Sequence, residues 1–202
     1  MIYTFYSYKG GVGRSMVLAN VAELFYQSGL KVLMVDWDLD APGLENYFFP
    51  KQKSREILSQ RGLIDLIQSY KTQMAEELNW DNGEDLPFEN PRDLIVDVHP
   101  DASGHGKLFL LTAGNRSKEN MSNYANSVLN FDWKDFYDTW MGEQYFEWLR
   151  QKFEQIADVV IIDSRTGVTE MGSICTYQFS DVVVMLCAAN QQNIVGTRNM
   201  VN

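Results

Sequence analysis

Cysteine and histidine are scarce in this chain, which has two residues of each kind among 202. Cys175 and Cys187 lie in or near apolar runs, which favours reduced thiols over a disulfide framework. The histidines, His99 and His105, stand at no spacing that suits a metal centre shared with these cysteines. We therefore predict no Cys/His metal site and a cytoplasmic protein.

Basic residues are also few, because 17 Lys and Arg face 27 Asp and Glu, which gives a formal net charge of −10. They are spread along the chain without clusters, whereas nucleic-acid backbones and anionic lipids require a basic face. No stretch approaches the roughly 20 apolar residues that span a bilayer. No basic segment followed by an apolar one marks a signal peptide at the N-terminus. We expect neither direct DNA binding nor membrane binding.

Several apolar runs lack the polar alternation of a half-exposed strand. Such runs indicate strands covered on both faces, as in a parallel sheet between helices. The predicted strands are 2–6, 31–36, 107–114, 158–163 and 181–188. A helix is predicted over 14–28, where apolar residues recur at helical spacing. The alternation of strands and helices predicts an α/β, doubly wound, mostly parallel sheet flanked by helices.

The middle of the chain is less regular, although we expect a single domain over 1–202. Residues 54–79 favour two helical pieces, and 80–106 an irregular insertion with a short strand at 94–98. The aromatic residues of 120–156 are interpreted as helix packing, because an acidic chain does not suit base stacking. Only 14 residues follow the last predicted strand, so we expect a domain cut from a longer protein.

A glycine-rich loop, KGGVGRS at 9–15, joins the first strand to the first helix. Gly10, Gly11 and Gly13 allow backbone amides to turn inward around an anion. The positive end of the following helix points at the same place, and Ser15 offers a hydroxyl to Mg²⁺. The pattern predicts a phosphate-binding loop, with a glycine-rich turn without ligand as the alternative.

The general pattern G-x-x-x-x-G-K-[ST] is met only in part. Tyr8 stands where its first glycine would fall, and Arg14 replaces its lysine. The stretch resembles instead the deviant Walker A loop of the ParA/MinD family of P-loop ATPases, in its KGGVGR variant. That resemblance implies bound ATP and Mg²⁺. The residues that it places on the nucleotide are Gly10, Gly11, Val12, Gly13, Arg14, Ser15, Met16 and Gly167.

The same resemblance assigns Lys9 to the family's signature lysine, which reaches across a dimer interface to the partner's nucleotide. It therefore implies an ATP-dependent homodimer. Arg14 takes the place of the lysine that contacts the β and γ phosphates, and arginine keeps the charge while being larger and more rigid. We expect nucleotide binding to survive and hydrolysis to be weak. The variant is typical of bacterial multidomain regulatory proteins, which implies a protein partner or a fused domain.

Three carboxylates, Asp36, Asp38 and Asp40, alternate along VDWDLD at the end of the second predicted strand. Such like charges persist more easily beside a cation, and ligands gather at the carboxyl ends of parallel strands. A solvated acidic turn is the alternative. By the family resemblance, Asp36 contacts the water shell of Mg²⁺ and Asp38 orients the attacking water, whereas Asp40 has no clear counterpart.

A third segment, VVIIDSRTG, closes an apolar strand at Asp163. In the family this aspartate holds Mg²⁺, and a glycine of the following switch loop, here Gly167, senses the γ-phosphate. Arg165 is either an arginine finger or the partner of a nearby carboxylate, and we favour the second. Further along, Asn190 and Gln191 are weaker candidates for contact with the base or a partner subunit.

Taken together, these residues predict a slow, Mg²⁺-dependent ATPase that works as a molecular switch through dimerisation. Its catalytic residues would be Lys9, Arg14 and Asp38, and its metal ligands Ser15, Asp36 and Asp163. A non-hydrolysing nucleotide-sensing module is the alternative. A bacterial tyrosine kinase is disfavoured, because the chain has no Tyr-rich tail and those kinases lack the lysine found at Lys9.

Overall fold

The computed structural model describes residues 1–76, 88–100, 106–167 and 170–201. Six strands form one sheet. They are β1 (Ile2–Ser7), β2 (Lys31–Asp36), β3 (Ile95–Asp97), β4 (Lys107–Leu111), β5 (Val159–Asp163) and β6 (Val182–Leu186). Their order is β3-β4-β2-β5-β1-β6, and β3 alone runs antiparallel to its neighbour. The predicted mostly parallel α/β sheet is confirmed.

Helices connect these strands and cover both faces of the sheet. They are α1 (Arg14–Gln27), α2 (Lys51–Leu58), α3 (Leu63–Glu76), α4 (Met121–Leu129), α5 (Trp133–Thr139), α6 (Gly142–Ile156), α7 (Glu170–Ser173) and α8 (Gln191–Val201). The short α7 continues into a π-helical segment over Ile174–Phe179. No helix in the described ranges is long and apolar enough to cross a membrane.

Helices α2 and α3 confirm the two helical pieces expected near 54–79, although α2 begins at Lys51. The predicted insertion at 80–106 is described only in part. Its described residues contain a 3₁₀ turn at Pro91–Leu94 and the short strand β3. Residues 80–87 and 101–105 lie outside the described residues.

The central strand β2 has a buried layer on each side of the sheet. Leu33 and Val35 belong to a large core cluster that includes residues of α3, α5 and α6. Val32 and Met34 face the opposite way, into a second cluster with residues of α1. This two-sided burial is the physical reason for a continuous apolar run where a half-exposed strand would alternate.

The aromatic residues pack together beneath α5 and α6. The Trp37 ring lies 4.8 Å from that of Phe179 and 5.8 Å from that of Phe146, between centroids. All three side chains are fully buried. Each such pair adds roughly 0.5–1.5 kcal/mol beyond simple area burial. Phe146 belongs to the same core cluster as Leu33 and Val35 of β2, together with Tyr124, Trp133, Phe136 and Tyr145. This shared core confirms the interpretation of the aromatic residues as helix packing.

Strand register brings the carboxylates to one edge. Asp36 ends β2 and pairs in register with Asp163 at the end of β5. On the other side of β5, Asp163 also pairs with Phe5 of β1. The loop that follows β1 is therefore placed beside both carboxylates.

Candidate phosphate-binding site

Glycines give the loop between β1 and α1 its backbone path. Gly11 has φ 76° and Gly13 has φ 83°, in the left-handed region that side chains disfavour. A Cβ at Gly11 would meet no atom within 4 Å, so the backbone angle, and not crowding, calls for glycine. Gly13 caps α1, and its carbonyl accepts the amide hydrogen of Val17 at 2.9 Å. The loop thus delivers the chain directly into the helix N-terminus, where amides favour an anion.

The loop borders an open cavity of about 600 Å³. The predicted binding residues that line it are Gly10, Gly11, Val12, Gly13, Arg14, Ser15 and Met16. Asp38, Asp40 and Arg165 line the same cavity. The structure thus brings the glycine loop, the acidic segment after β2 and the loop after β5 together, and Lys9 stands half-buried at the start of the glycine loop.

The backbone of Gly167 is hydrogen-bonded to residues of β1. Its amide donates to the Ser7 carbonyl at 3.2 Å, and its carbonyl accepts from the Tyr6 hydroxyl at 2.5 Å. These bonds hold the loop after β5 against β1. Contact between this amide and a γ-phosphate stays a prediction.

Arg14 lies between two carboxylates. Its Nε donates to Asp163 Oδ1 at 2.5 Å, and its Nη2 donates to Asp38 Oδ2 at 2.7 Å. The Arg14 side chain is only 6% exposed. Its Nη1 is buried and has no hydrogen-bond partner within the described part of the chain. Arg14 thus neutralises the acidic edge, and its predicted contact with phosphate remains a prediction.

Asp36 anchors the acidic segment. Its Oδ2 accepts the amide hydrogens of Gly43 at 3.0 Å and Leu44 at 3.1 Å, which fixes the turn that follows Asp38 and Asp40. Its Oδ1 is buried without a partner among the residues described. Burial, reinforced by the nearby charge of Asp163, raises the pKa of Asp36 to about 7.

Ser15 and Asp163 supply the oxygen donors nearest to the helix start. Ser15 is near enough to the Asp163 carboxylate to lower its pKa, against the effect of burial. Burial raises the pKa of Asp163, against the opposing effect of the Arg14 charge. In the four described ranges, no three His, Cys, Asp or Glu side chains form a group that could hold a metal. Hard oxygen donors in so small a number fit Mg²⁺, which takes one or two protein ligands together with phosphates.

Two other candidates have local partners. Arg165 forms an ion pair with Asp40 at the cavity, which confirms the expected carboxylate pairing. The Asn190 side chain accepts from the Asn193 amide at 2.9 Å and caps α8, while Gln191 is exposed at the start of that helix. A contact of either residue with a base or a partner subunit stays a prediction.

No sequence pattern indicates the buried pair of Arg116 and Glu45 behind the acidic segment. Arg116 Nη2 donates to Glu45 Oε2 at 3.0 Å, and Arg116 Nη1 donates to the Pro42 carbonyl at 3.2 Å. The Tyr124 hydroxyl donates to the Leu39 carbonyl at 2.7 Å. These bonds fix the segment that carries Asp38 and Asp40. Their partners are 71 to 85 residues apart in the chain, so no motif predicts them.

Tyr8 departs from the general loop pattern, in which a glycine would stand at this position. In the structure its ring packs on Gly196 of α8, where an added Cβ would lie 2.1 Å from two ring atoms. The bulky residue at the loop entrance therefore links the loop to the last helix.

Comparison with known proteins agrees with this geometry. The family described as the CobQ/CobB/MinD/ParA nucleotide binding domain matches residues 3–174. No curated protein matches the chain. Among solved structures, a ParA family ATPase from Chlorobium tepidum is 16% identical with a TM-score of 0.60, and the match covers 99% of this chain and 65% of the other.

Two further structures are similar. The septum site-determining protein MinD from Pyrococcus horikoshii, complexed with Mg-ADP, is 16% identical with a TM-score of 0.58, covering 99% of this chain and 63% of that one. A plasmid partition protein from Borrelia burgdorferi is 19% identical with a TM-score of 0.59, covering 99% and 71%. These structures share the fold, and this chain spans between 63% and 71% of their lengths. The chain belongs to the CobQ/CobB/MinD/ParA nucleotide-binding domain family.

Proposed function

We propose that this protein binds ATP with Mg²⁺ and hydrolyses it slowly, as a molecular switch that dimerises and regulates a partner or a fused domain. The observation that carries the proposal is the glycine loop, whose left-handed Gly11 and Gly13 open onto a cavity of about 600 Å³ edged by Asp38. The N-terminus of α1, which begins at Arg14, favours a polyphosphate there.

Each residue has a role in this proposal. The loop amides bind the phosphates, and Arg14 and Lys9 neutralise their charge. Ser15 and Asp163 would hold Mg²⁺, with Asp36 contacting its water shell. The metal, when bound, supplies charge neutralisation for phosphoryl transfer to water. Asp38 positions that water, and most of the rate gain comes from positioning and electrostatics.

Dimerisation is supported by the state of Lys9. This side chain is half-buried at the start of the loop and forms no ion pair within the described ranges. Its ammonium is therefore available for a phosphate, including one bound by a second subunit.

Calorimetry with Mg-ATP tests the proposal, and the chain offers a matched pair of glycine variants. Gly11 and Gly29 both have positive φ, 76° and 89°, and both have open space around an added Cβ. Gly11→Ala and Gly29→Ala therefore introduce similar backbone strain, but Gly11 alone lies in the loop. We expect Gly11→Ala to lose ATP affinity and Gly29→Ala to keep it. Absence of purine triphosphate binding by the folded wild type would overturn the proposal.

A non-hydrolysing nucleotide-sensing module is the second candidate. The observation that favours it is the hydrogen bond from Arg14 to Asp38, which occupies the carboxylate proposed to position water. Turnover of Mg-ATP by the wild type, set against Asp38→Ala, separates the two. A wild-type rate well above that of the variant supports the ATPase, whereas equal background rates support the sensor.

A further inference from the structure

The acidic edge of the site already has a cation of its own. Arg14 contacts Asp163 through Nε and Asp38 through Nη2, and all three side chains are at least 87% buried, since their exposed fractions are 6%, 3% and 13%. Two neighbouring carboxylates repel each other strongly where water is excluded, so one positive charge between them stabilises both. A divalent cation would serve the same electrostatic purpose at the same oxygens.

The arrangement leaves Arg14 incompletely satisfied. The guanidinium has five N–H donors, yet its buried Nη1 has no hydrogen-bond partner in the described part of the chain. Arg14 is also the first residue of α1, directly after the loop glycines. A phosphate in the cavity would offer oxygens to a side chain that has an unused donor.

We propose that Arg14 is a tethered cation whose pairing with Asp163 and Asp38 keeps a divalent metal off the Asp163 carboxylate. A phosphate draws the guanidinium away, and Asp163 then becomes free to hold the metal. The inference rests on the proposed function, for which it sets the order of binding: the nucleotide binds before the metal or together with it, and the metal without nucleotide binds only weakly.

Manganese alone, without nucleotide, is the probe, and bound Mn²⁺ is counted by electron paramagnetic resonance. The variants are Arg14→Gln and its matched control Arg165→Gln, which removes an equal charge from the same cavity but from Asp40 instead. We expect wild type and Arg165→Gln to bind Mn²⁺ weakly and alike. Arg14→Gln should bind about tenfold more tightly or better, because two buried carboxylates then lack a counter-ion. Adding Asp163→Asn to Arg14→Gln should abolish the gain.

Two results would overturn the proposal: equal Mn²⁺ affinity in wild type and Arg14→Gln, or equal gains in Arg14→Gln and Arg165→Gln. If Arg14→Gln does not fold, the test is the thermal denaturation of the wild type with and without Mn²⁺. Mn²⁺ alone should leave its midpoint unchanged, and a rise that Asp163→Asn abolishes contradicts the proposal. These titrations contain no nucleotide and therefore test the role of Arg14 by itself. The proposed function is tested by a separate measurement, calorimetry with Mg-ATP, and a lack of ATP binding there would contradict it.

Discussion

Asp36 and Asp163 stand opposite each other, in register, at the ends of the neighbouring parallel strands β2 and β5. Both residues are buried, with whole-residue exposed fractions of 0% and 2%. Within the described residues, Asp163 is paired with the cation Arg14, whereas Asp36 accepts backbone amide hydrogens and has no ion-pair partner. The pair therefore combines one neutralised carboxylate with one whose ionisation is opposed by burial.

The first prediction is a loss of stability as the pH rises. Burial raises the pKa of Asp36 to about 7, while an unfolded Asp releases its proton near 3.9. The folded state thus binds more protons between these values, and the free energy of unfolding falls as the pH rises from about 4 to about 7. The effect amounts to a few kcal/mol at most, since one pH unit corresponds to about 1.4 kcal/mol.

Urea denaturation at several pH values measures this effect. Asp36→Asn carries no ionisable group, so its stability profile should be flatter than that of the wild type over this window. The exposed residue Asp138 provides a control, and Asp138→Asn should keep the wild-type slope. Parallel profiles for wild type and Asp36→Asn would contradict the prediction.

The second prediction concerns the buried pair of Arg116 and Glu45, which are 5% and 3% exposed. Arg116→Met leaves the Glu45 charge buried and unpaired, which should lower the free energy of unfolding by about 3–5 kcal/mol. Adding Glu45→Met should restore most of that loss, because the double variant buries no charge.

The pair of Arg61 and Glu89 is the control, since Arg61 is 47% exposed. Arg61→Met should cost about 1 kcal/mol or less. Denaturant titration of the four proteins measures these differences. Equal losses for Arg116→Met and Arg61→Met would show that the buried pair does not hold the acidic segment.

Features that depend on residues close together in the chain could be predicted from the sequence, whereas features that depend on contacts between distant residues could not. The strand at 31–36 was predicted to the residue, because both its faces are buried by neighbouring layers. The strand predicted at 107–114 ends earlier, at Leu111, the partner of Val35. Beyond Leu111, the carbonyls of Thr112 and Ala113 accept amide hydrogens from the start of α3. The chain therefore leaves the sheet at this point.

The site shows the same division. The glycine loop and the acidic segment after β2 were found from short-range patterns, and the structure brings both to one cavity. The contacts of Arg14 were not predicted, because its partners lie 24 and 149 residues away. An arginine in a phosphate loop suggests phosphate contact, and only the three-dimensional arrangement reveals carboxylates within its reach.

The third prediction is that Lys9 is required for an ATP-dependent dimer. Lys9→Ala removes a cation beside the loop that has no ion-pair partner in the described ranges. Light scattering after gel filtration, with Mg²⁺ and a non-hydrolysable ATP analogue, should detect a dimer of the wild type and a monomer of the variant. Lys118→Ala, which changes an exposed lysine after β4, should dimerise like the wild type. A Lys9→Ala dimer of unchanged affinity would remove Lys9 from the interface.

The last prediction connects α8 to the phosphate loop through Tyr8. A Cβ at Gly196 would lie 2.1 Å from the Tyr8 ring, so Gly196→Ala must displace that ring. Replacing a helical glycine by alanine ordinarily stabilises by about 1 kcal/mol, but the clash should reverse the sign, since overpacking costs roughly 1–3 kcal/mol. Because Tyr8 directly precedes the loop, Mg-ATP affinity measured by calorimetry should fall as well.

Tyr8→Ala in the Gly196→Ala background removes the clash, and the double variant should regain stability relative to Gly196→Ala alone. Gln192→Ala, at an exposed position of the same helix, should leave both stability and ATP affinity close to wild type. A Gly196→Ala protein that is more stable than wild type and binds Mg-ATP equally well would mean that the ring yields without moving the loop. In that case a change in α8 does not affect the phosphate site through Tyr8.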